Sequence, residues 1–355
     1  MEMTDLRPFV DGELLRRPIV IAGPCSAETE RQTLDTARQL SDIGIKIFRA
    51  GIWKPRTKPG NFEGVGSIGL RWLRKVKAET GMLTATEVAT KSHVAAALRA
   101  GVDILWIGAR TTANPFAVSE IAEALRPYPE TPVIVKNPLA PDLEAWIGAF
   151  ERLYSAGIRR LGAVHRGFSS FDHDIYRNPP DWRVPIELHR RLPGLPLLAD
   201  PSHITGRSSM VPIVAQEAMD LGFDGLMIES HINPECAWSD KQQQLTPQEL
   251  KSLLDSLTLR DSKMPSEMLE QLRARIDRLD GELVRTLASR MQVSEEIGSY
   301  KRSAGMAVVQ QGRYRALMEE RIEQATRLGL SEEFMRDIFQ RIHAESVRLQ
   351  LNPDH

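Results

Sequence analysis

The sequence predicts a closed parallel barrel of eight strand–helix units, followed by a small all-helical domain. Two observations carry the barrel. Eight short apolar runs recur over roughly 240 residues, and stretches of helical period such as Arg31–Ile43 and Pro115–Leu125 lie between them. The runs are Ile19–Ala22, Ile45–Phe48, Met82–Ala85, Ile104–Ile107, Pro132–Val135, Arg160–Val164, Pro196–Ala199 and Gly225–Ile228. A third observation carries the second domain: near residue 258 the glycines thin out and the pattern becomes purely helical. The reading is a barrel over 1–257, a polar linker with one proline over 258–266, and a helical domain over 267–355.

Ahead of the first run, Phe9–Leu15 holds Asp11-Gly12 between apolar residues, which predicts a hairpin closing the bottom of the barrel. The other face follows from what comes after each run: Cys25, Arg49 with Lys54, Glu87, Arg110, Lys136, Arg166, His203 and Glu229. Strand ends in such barrels converge on one rim, where chemistry is done. In the tail, Met268, Leu272, Ile276, Leu279, Leu283, Leu287, Met291 and Ile297 form one apolar stripe, broken by Ser294, on a helix over 267–301 roughly 50 Å long. A second helix over 311–328 stops at Gly329. A third starts at the cap Ser331 with Glu332 and Glu333 in its first turn, and Phe334, Ile338, Ile342 and Leu349 are its expected buried face. The first helix is too long to be covered by the two short ones, which predicts an interlocked homodimer.

Composition narrows the class. A net charge of −1 over 355 residues argues against a nucleic-acid binder. The chain has no apolar run of 18 residues and no apolar signal core at its start, so no membrane partner is expected. Two cysteines cannot make a disulfide framework, and the expected setting is the reducing cytoplasm. Cys236 reads more simply as a buried, inert thiol than as a partner for Cys25. Gly64–Gly69 fits GxGxxG but follows a loop rather than a strand, so no nucleotide cofactor is expected.

Cys25, His203, Glu229 and Asp240, eleven residues beyond Glu229, are a thiolate, an imidazole and two carboxylates. That mixed set suits one divalent transition metal such as Mn, Fe, Co, Zn or Cu. Arg49, Lys54, Arg56, Arg110, Lys136 and Arg166 crowd the same rim. Such crowding is costly unless anions lie between them, and arginine suits bidentate phosphate and carboxylate contacts. The expected ligands are small, multiply charged phosphates.

Gly23-Pro24-Cys25-Ser26, Lys54-Pro55-Arg56-Thr57, Ile107-Gly108-Ala109-Arg110-Thr111-Thr112, Val135-Lys136-Asn137, His165-Arg166-Gly167, Asp200-Pro201-Ser202-His203 and Ile228-Glu229-Ser230-His231 resemble the 3-deoxy-D-arabino-heptulosonate 7-phosphate (DAHP) synthases. The resemblance is to the short type I branch, without an added N-terminal regulatory domain. It implies a metal-dependent condensation of phosphoenolpyruvate with erythrose 4-phosphate, the first step of the shikimate pathway. Arg110, Lys136 and Arg166 would hold phosphoenolpyruvate beside Arg49 and Lys54. Pro55, Arg56 and Thr57 would hold the sugar phosphate. Lys54 would donate a proton and Glu87 would orient or deprotonate the attacking water. The sister octulosonate synthases carry Lys-Ala-Asn-Arg-Ser-Ser where this chain has Lys54-Pro55-Arg56-Thr57, which favours erythrose 4-phosphate over arabinose 5-phosphate.

Leu272-Arg273, Leu279-Asp280, Arg290, Lys301, Arg313 and Ser346 with Gln350 resemble the all-helical chorismate mutases, which form intertwined dimers. The implied reaction is chorismate to prephenate, with Lys301 and Gln350 donating to the breaking ether oxygen. Arg273 and Arg290 are seventeen residues apart on one helix, roughly 25 Å along its axis, so both reach one small substrate only if a second chain supplies one of them. The chain departs from the family at Gln310 and Tyr314, where acidic residues are usual. The tail is thus expected to be a mutase that also feeds chorismate or prephenate inhibition back to the barrel, or alternatively a sensor or dimerisation bundle with little turnover.

Overall fold

The computed structural model describes residues 3–55, 60, 62–171, 175–260, 267–308 and 311–351. Arg56, Thr57 and Gln310 therefore lie outside the described residues, as does most of the predicted linker. The chain divides into two compact units, Met1–Ser262 and Lys263–His355. Residues 258–260 are tied to the first unit: Thr258 exchanges two hydrogen bonds with the Gln216 side chain, and Arg260 pairs with Asp220 at 2.7 Å.

The first unit is an eight-stranded barrel. Its strands are β1 Ile19–Gly23, β2 Ile47–Arg49, β3 Leu83–Val88, β4 Ile104–Ile107, β5 Val133–Lys136, β6 Arg160–His165, β7 Leu197–Ala199 and β8 Gly225–Glu229. Each pairs in parallel with its neighbours, β8 pairs with β1, and β6 pairs with β7, so the sheet has no open edge. Alternation within the runs sorts the side chains. Ile21, Ile47, Ala85, Trp106, Ile134, Val164, Leu198 and Met227 fill the interior. Ala22, Phe48, Leu105, Val135, Ala163 and Ile228 meet the surrounding helices.

The bottom is closed, but not by a hairpin. Arg7–Pro8 pairs in parallel with β6, and Gly12–Leu15 is a 3-10 turn. Gly12 adopts φ +58, so Asp11-Gly12 redirects the chain without pairing two strands. Phe9 and Val10 plug the barrel interior, and Gly162 leaves the space for Phe9: a Cβ there would lie 2.4 Å from its ring.

The second unit has helices Glu267–Ser303, Gln311–Arg327 and Glu332–Leu351. Gly329 ends the second at φ +82, and the Phe334 amide donates to Ser331 Oγ. The third helix does not bury the expected face. Leu349 is buried, Ile338 and Ile342 are half-buried, and Phe334 is 53% exposed. On the first helix Leu272, Ile276, Leu279 and Leu283 are exposed between 49% and 56%. Three helices from one chain offer too little surface to cover a 37-residue stripe. No helix among the described residues is long and apolar enough to cross a membrane.

Candidate active site

The strand ends bring the predicted groups to one cavity. It is lined by Cys25, Arg49, Lys54, Pro55, Glu87, Gly108, Ala109, Arg110, Lys136, Arg166, His203 and Glu229. Arg49, Lys136 and Glu229 end their strands, and Arg166 follows β6 directly. His203 is carried by the short helix Pro201–Thr205, whose N-cap Asp200 accepts the His203 amide at 3.0 Å. Two glycines make the approach possible. At Gly23, φ is +151 and a Cβ would lie 2.0 Å from the Arg49 carbonyl oxygen; at Gly108 a Cβ would lie 2.1 Å from Glu87 Oε1.

The predicted metal ligands stand as two pairs. Cys25 Sγ lies 3.1 Å from Asp240 Oδ2, and His203 Nε2 lies 3.7 Å from Glu229 Oε1. Among the described residues no three His, Cys, Asp or Glu side chains converge as a ready-made metal site. The ammonium of Lys54 enters the cluster, 2.5 Å from Cys25 Sγ and 3.7 Å from Asp240 Oδ2. The donor set still fits a metal. Glu229 is fully buried, and its Oε1 has no hydrogen-bond partner although Arg49 NH1 stands 3.4 Å away. The ion pair leaves that buried oxygen without a hydrogen bond, an acceptor that a metal ion would fill.

Electrostatics separates the groups. Burial, reinforced by Glu229, pushes the Cys25 thiol up to about 12, against the pull of Lys54. Burial lowers His203 and keeps the imidazole neutral. Burial would raise Asp240, but the cations Lys54 and Arg177 hold that carboxyl well below the usual range.

The cations are equally constrained. Arg49 is 2% exposed, stacks over the Trp106 ring at 4.9 Å, and leaves Nε and NH1 without hydrogen bonds. Lys136 Nζ lies 2.6 Å from Asp200 Oδ2. Arg166 donates to Asn178 Oδ1 at 2.8 Å, and burial lowers its guanidinium to about 10. Arg110 is exposed at the cavity mouth, on the helical turn after β4. Trp106 Nε1 donates to Glu87 Oε2 at 3.1 Å.

Sequence reasoning missed three contributors. Asp200 receives Lys136 and sits 2.8 Å from His203 Nδ1; its place at the end of β7 was the available signal. Arg177 and Gln243 touch Asp240 and Glu229 from loops that carry no readable pattern. Cys236 is free and exposed, not buried as expected, and accepts from Asn233 Nδ2 at 3.2 Å. Cys25 is also a free thiol.

In the helical unit, Arg290 NH1 donates to Ser346 Oγ at 2.5 Å, and Lys301 Nζ donates to Gln350 Oε1 at 3.1 Å. Ser346 and Gln350 are 4% and 9% exposed, and Gly298 allows the close approach, since a Cβ would lie 2.8 Å from Gln350 Cα. Burial lowers His343, and the nearby charges of Arg290 and Lys301 lower it further, so the surroundings of that imidazole are electropositive. The Tyr314 ring packs against that imidazole, tilted by 32° with centroids 4.1 Å apart. Arg273 is exposed and pairs with Glu270 at 2.7 Å, and Arg313 is exposed on the second helix. Four of the six predicted mutase groups thus meet within one chain.

Comparison with known proteins agrees with this division. A family model described as the DAHP synthetase I family matches residues 12–264, and one described as chorismate mutase type II matches residues 272–351. The phospho-2-dehydro-3-deoxyheptonate aldolase of Thermotoga maritima is 33% identical over 245 residues, covering 67% of this chain and 70% of that protein. The 2-dehydro-3-deoxyphosphooctonate aldolase of Delftia acidovorans is 29% identical over 275 residues, covering 71% and 93%. A crystal structure of the Thermotoga maritima DAHP synthase superposes with a TM-score of 0.59 at 31% identity, and the match spans 66% of each chain.

Proposed function

Because the chain belongs to the DAHP synthetase I family and carries a chorismate mutase type II domain behind it, we propose that its barrel condenses phosphoenolpyruvate with erythrose 4-phosphate. The products are DAHP and phosphate. One observation carries this reading: nine of the predicted ligand, cation and carboxylate groups line a single cavity at the strand ends.

Arg110, Lys136, Arg166 and Arg49 would hold the phosphate and carboxylate of phosphoenolpyruvate. The Nε and NH1 donors of the buried Arg49 make no hydrogen bond and are suited to that anion. Pro55 with Arg56 and Thr57 would take the phosphate of the aldose. Fixed cations let two mutually repelling anions approach, so positioning and electrostatics supply much of the rate. The enol carbon attacks the aldehyde, and Lys54 would give its proton to the new alkoxide. Water then adds at the former enol carbon, oriented by Glu87, which Trp106 holds in place, and phosphate departs. A divalent transition metal, which Cys25, His203, Glu229 and Asp240 would hold, supplies Lewis-acid polarisation of the aldehyde oxygen.

The helical domain would convert chorismate to prephenate. Arg290 and Arg313 would bind carboxylates, while Lys301 and Gln350 would donate to the ether oxygen. Arg273 would come from a second copy, which the exposed stripe Leu272–Leu283 would also require. Prephenate or chorismate bound there would inhibit the barrel.

Phosphate release from phosphoenolpyruvate plus erythrose 4-phosphate, with and without chelator, tests the barrel. Release that chelation does not reduce would overturn the metal assignment, and no release in the presence of Mn or Co would overturn the reaction. Chorismate consumption tests the tail. Chorismate binding without turnover would leave it a sensor, and adding prephenate to the phosphate assay reads the feedback.

A further inference from the structure

Glu229 in the cavity lining and Asp240 beside it each turn one oxygen toward another predicted ligand. Glu229 Oε1 faces His203, and Asp240 Oδ2 faces Cys25. Their other oxygens are held from behind by one small network. Arg177 NH1 donates to Asp240 Oδ1 at 2.9 Å and to Gln243 Oε1 at 2.7 Å. Gln243, only 1% exposed, donates through Nε2 to Glu229 Oε2 at 2.7 Å. Because Arg177 takes the amide oxygen, the amide nitrogen is turned toward Glu229.

The two carboxylates come from different chain segments, the end of β8 and the loop after it, and Arg177 comes from the loop after β6. Asp240 itself adopts φ +49, so its backbone does not hold it in a common extended or helical conformation.

We propose that Arg177 and Gln243 are positioning residues: together they tie back one oxygen of Asp240 and one of Glu229, so that each carboxylate offers a single oxygen to the metal. This rests on the reading of Cys25, His203, Glu229 and Asp240 as the metal ligands. Hydrogen-bonded partners behind metal-ligating side chains typically contribute 10- to 100-fold in metal affinity. Arg177 keeps nearly half of its side chain in solvent, so its truncation leaves no buried void.

The test titrates Co(II) alone into chelator-stripped full-length protein and follows the thiolate-to-cobalt absorption expected of Cys25. Arg177→Ala and Gln243→Met should each weaken binding about 10- to 100-fold. Arg177→Lys, which keeps the charge but not the forked geometry, should recover part of the loss. The unfolding midpoints of the stripped variants should stay within about 2 °C of the unaltered chain. Equal cobalt affinity in the variants would overturn the positioning role while leaving the metal site intact. A loss matched by a large fall in the stripped protein's midpoint, and not recovered by lysine, would also overturn it. Absence of the thiolate band in the unaltered chain would instead sink the metal reading and this inference with it.

Discussion

The barrel and the helical domain treat their apolar side chains in opposite ways. In the barrel, Phe9, Ile21 and Trp106 are at most 1% exposed. On the first tail helix Ile276, Leu279 and Leu283 remain 55–56% exposed. A sheet that closes on itself has a geometrical inside, so one chain completes its core and brings its site residues to one rim. A long helix has only a stripe, and a stripe needs another surface. The sites follow the cores. The barrel collects its cations around one cavity, while the tail assembles Arg290, Lys301, Ser346 and Gln350 and leaves Arg273 outside.

The largest expected effect separates the two activities. Cys25→Ala should lower phosphate release by about 10³-fold, because Lewis-acid stabilisation by a metal is worth several kcal/mol. Chorismate turnover by the same protein should not change. Parallel loss of both rates would mean that the two units do not work independently.

Next comes the stripe. Leu279→Asp places a charge twice across a two-fold interface, where each buried leucine would contribute about 1.5–3 kcal/mol. It should turn a dimer into monomers in sedimentation and lower chorismate turnover by about 10²-fold, the scale of losing one positioned donor group. Phosphate release should persist. A variant that stays dimeric would show that the stripe is not the contact.

The thiol predicts a tenfold effect. Cys25 is held up to about 12 and His203 is lowered and already neutral at pH 7. Metal binding must therefore release one proton, from the thiol. Raising the pH favours the thiolate, so Co(II) affinity should tighten about tenfold from pH 7 to pH 8. Affinity independent of pH would mean that the thiol is not a ligand.

The smallest signal, a partial recovery, is the most selective. Arg273→Ala and Arg290→Ala should each be nearly inactive as mutases. Mixed and re-equilibrated in equal amounts, they should regain about a quarter of native turnover, since half the dimers are mixed and each has one intact site. No recovery would place both arginines in sites made by a single chain.

Much of the barrel was legible in the residues. The run Ile104–Ile107 is a whole strand, and the other seven needed shifts of one to three residues. Strand ends are legible because alternation in a short apolar run stops where the chain leaves the sheet. The hairpin at Asp11-Gly12 failed because a turn signal specifies a change of direction and not a pairing partner, and the neighbouring Arg7–Pro8 found β6 instead. The buried face expected for the third tail helix failed because periodicity names a stripe without saying what covers it: Phe334 is exposed while Leu349 is buried.

By itself, the sequence determined which residue types stand at the strand ends, because local periodicity and the β/α order decide where each strand stops. Only the tertiary structure decided which of those groups touch. It alone placed Lys54 against Cys25, and Arg177 with Gln243 behind the two carboxylates. Such contacts join residues far apart in the chain, and they are set by loop paths and by the charge balance of a buried cavity, neither of which has a period to read.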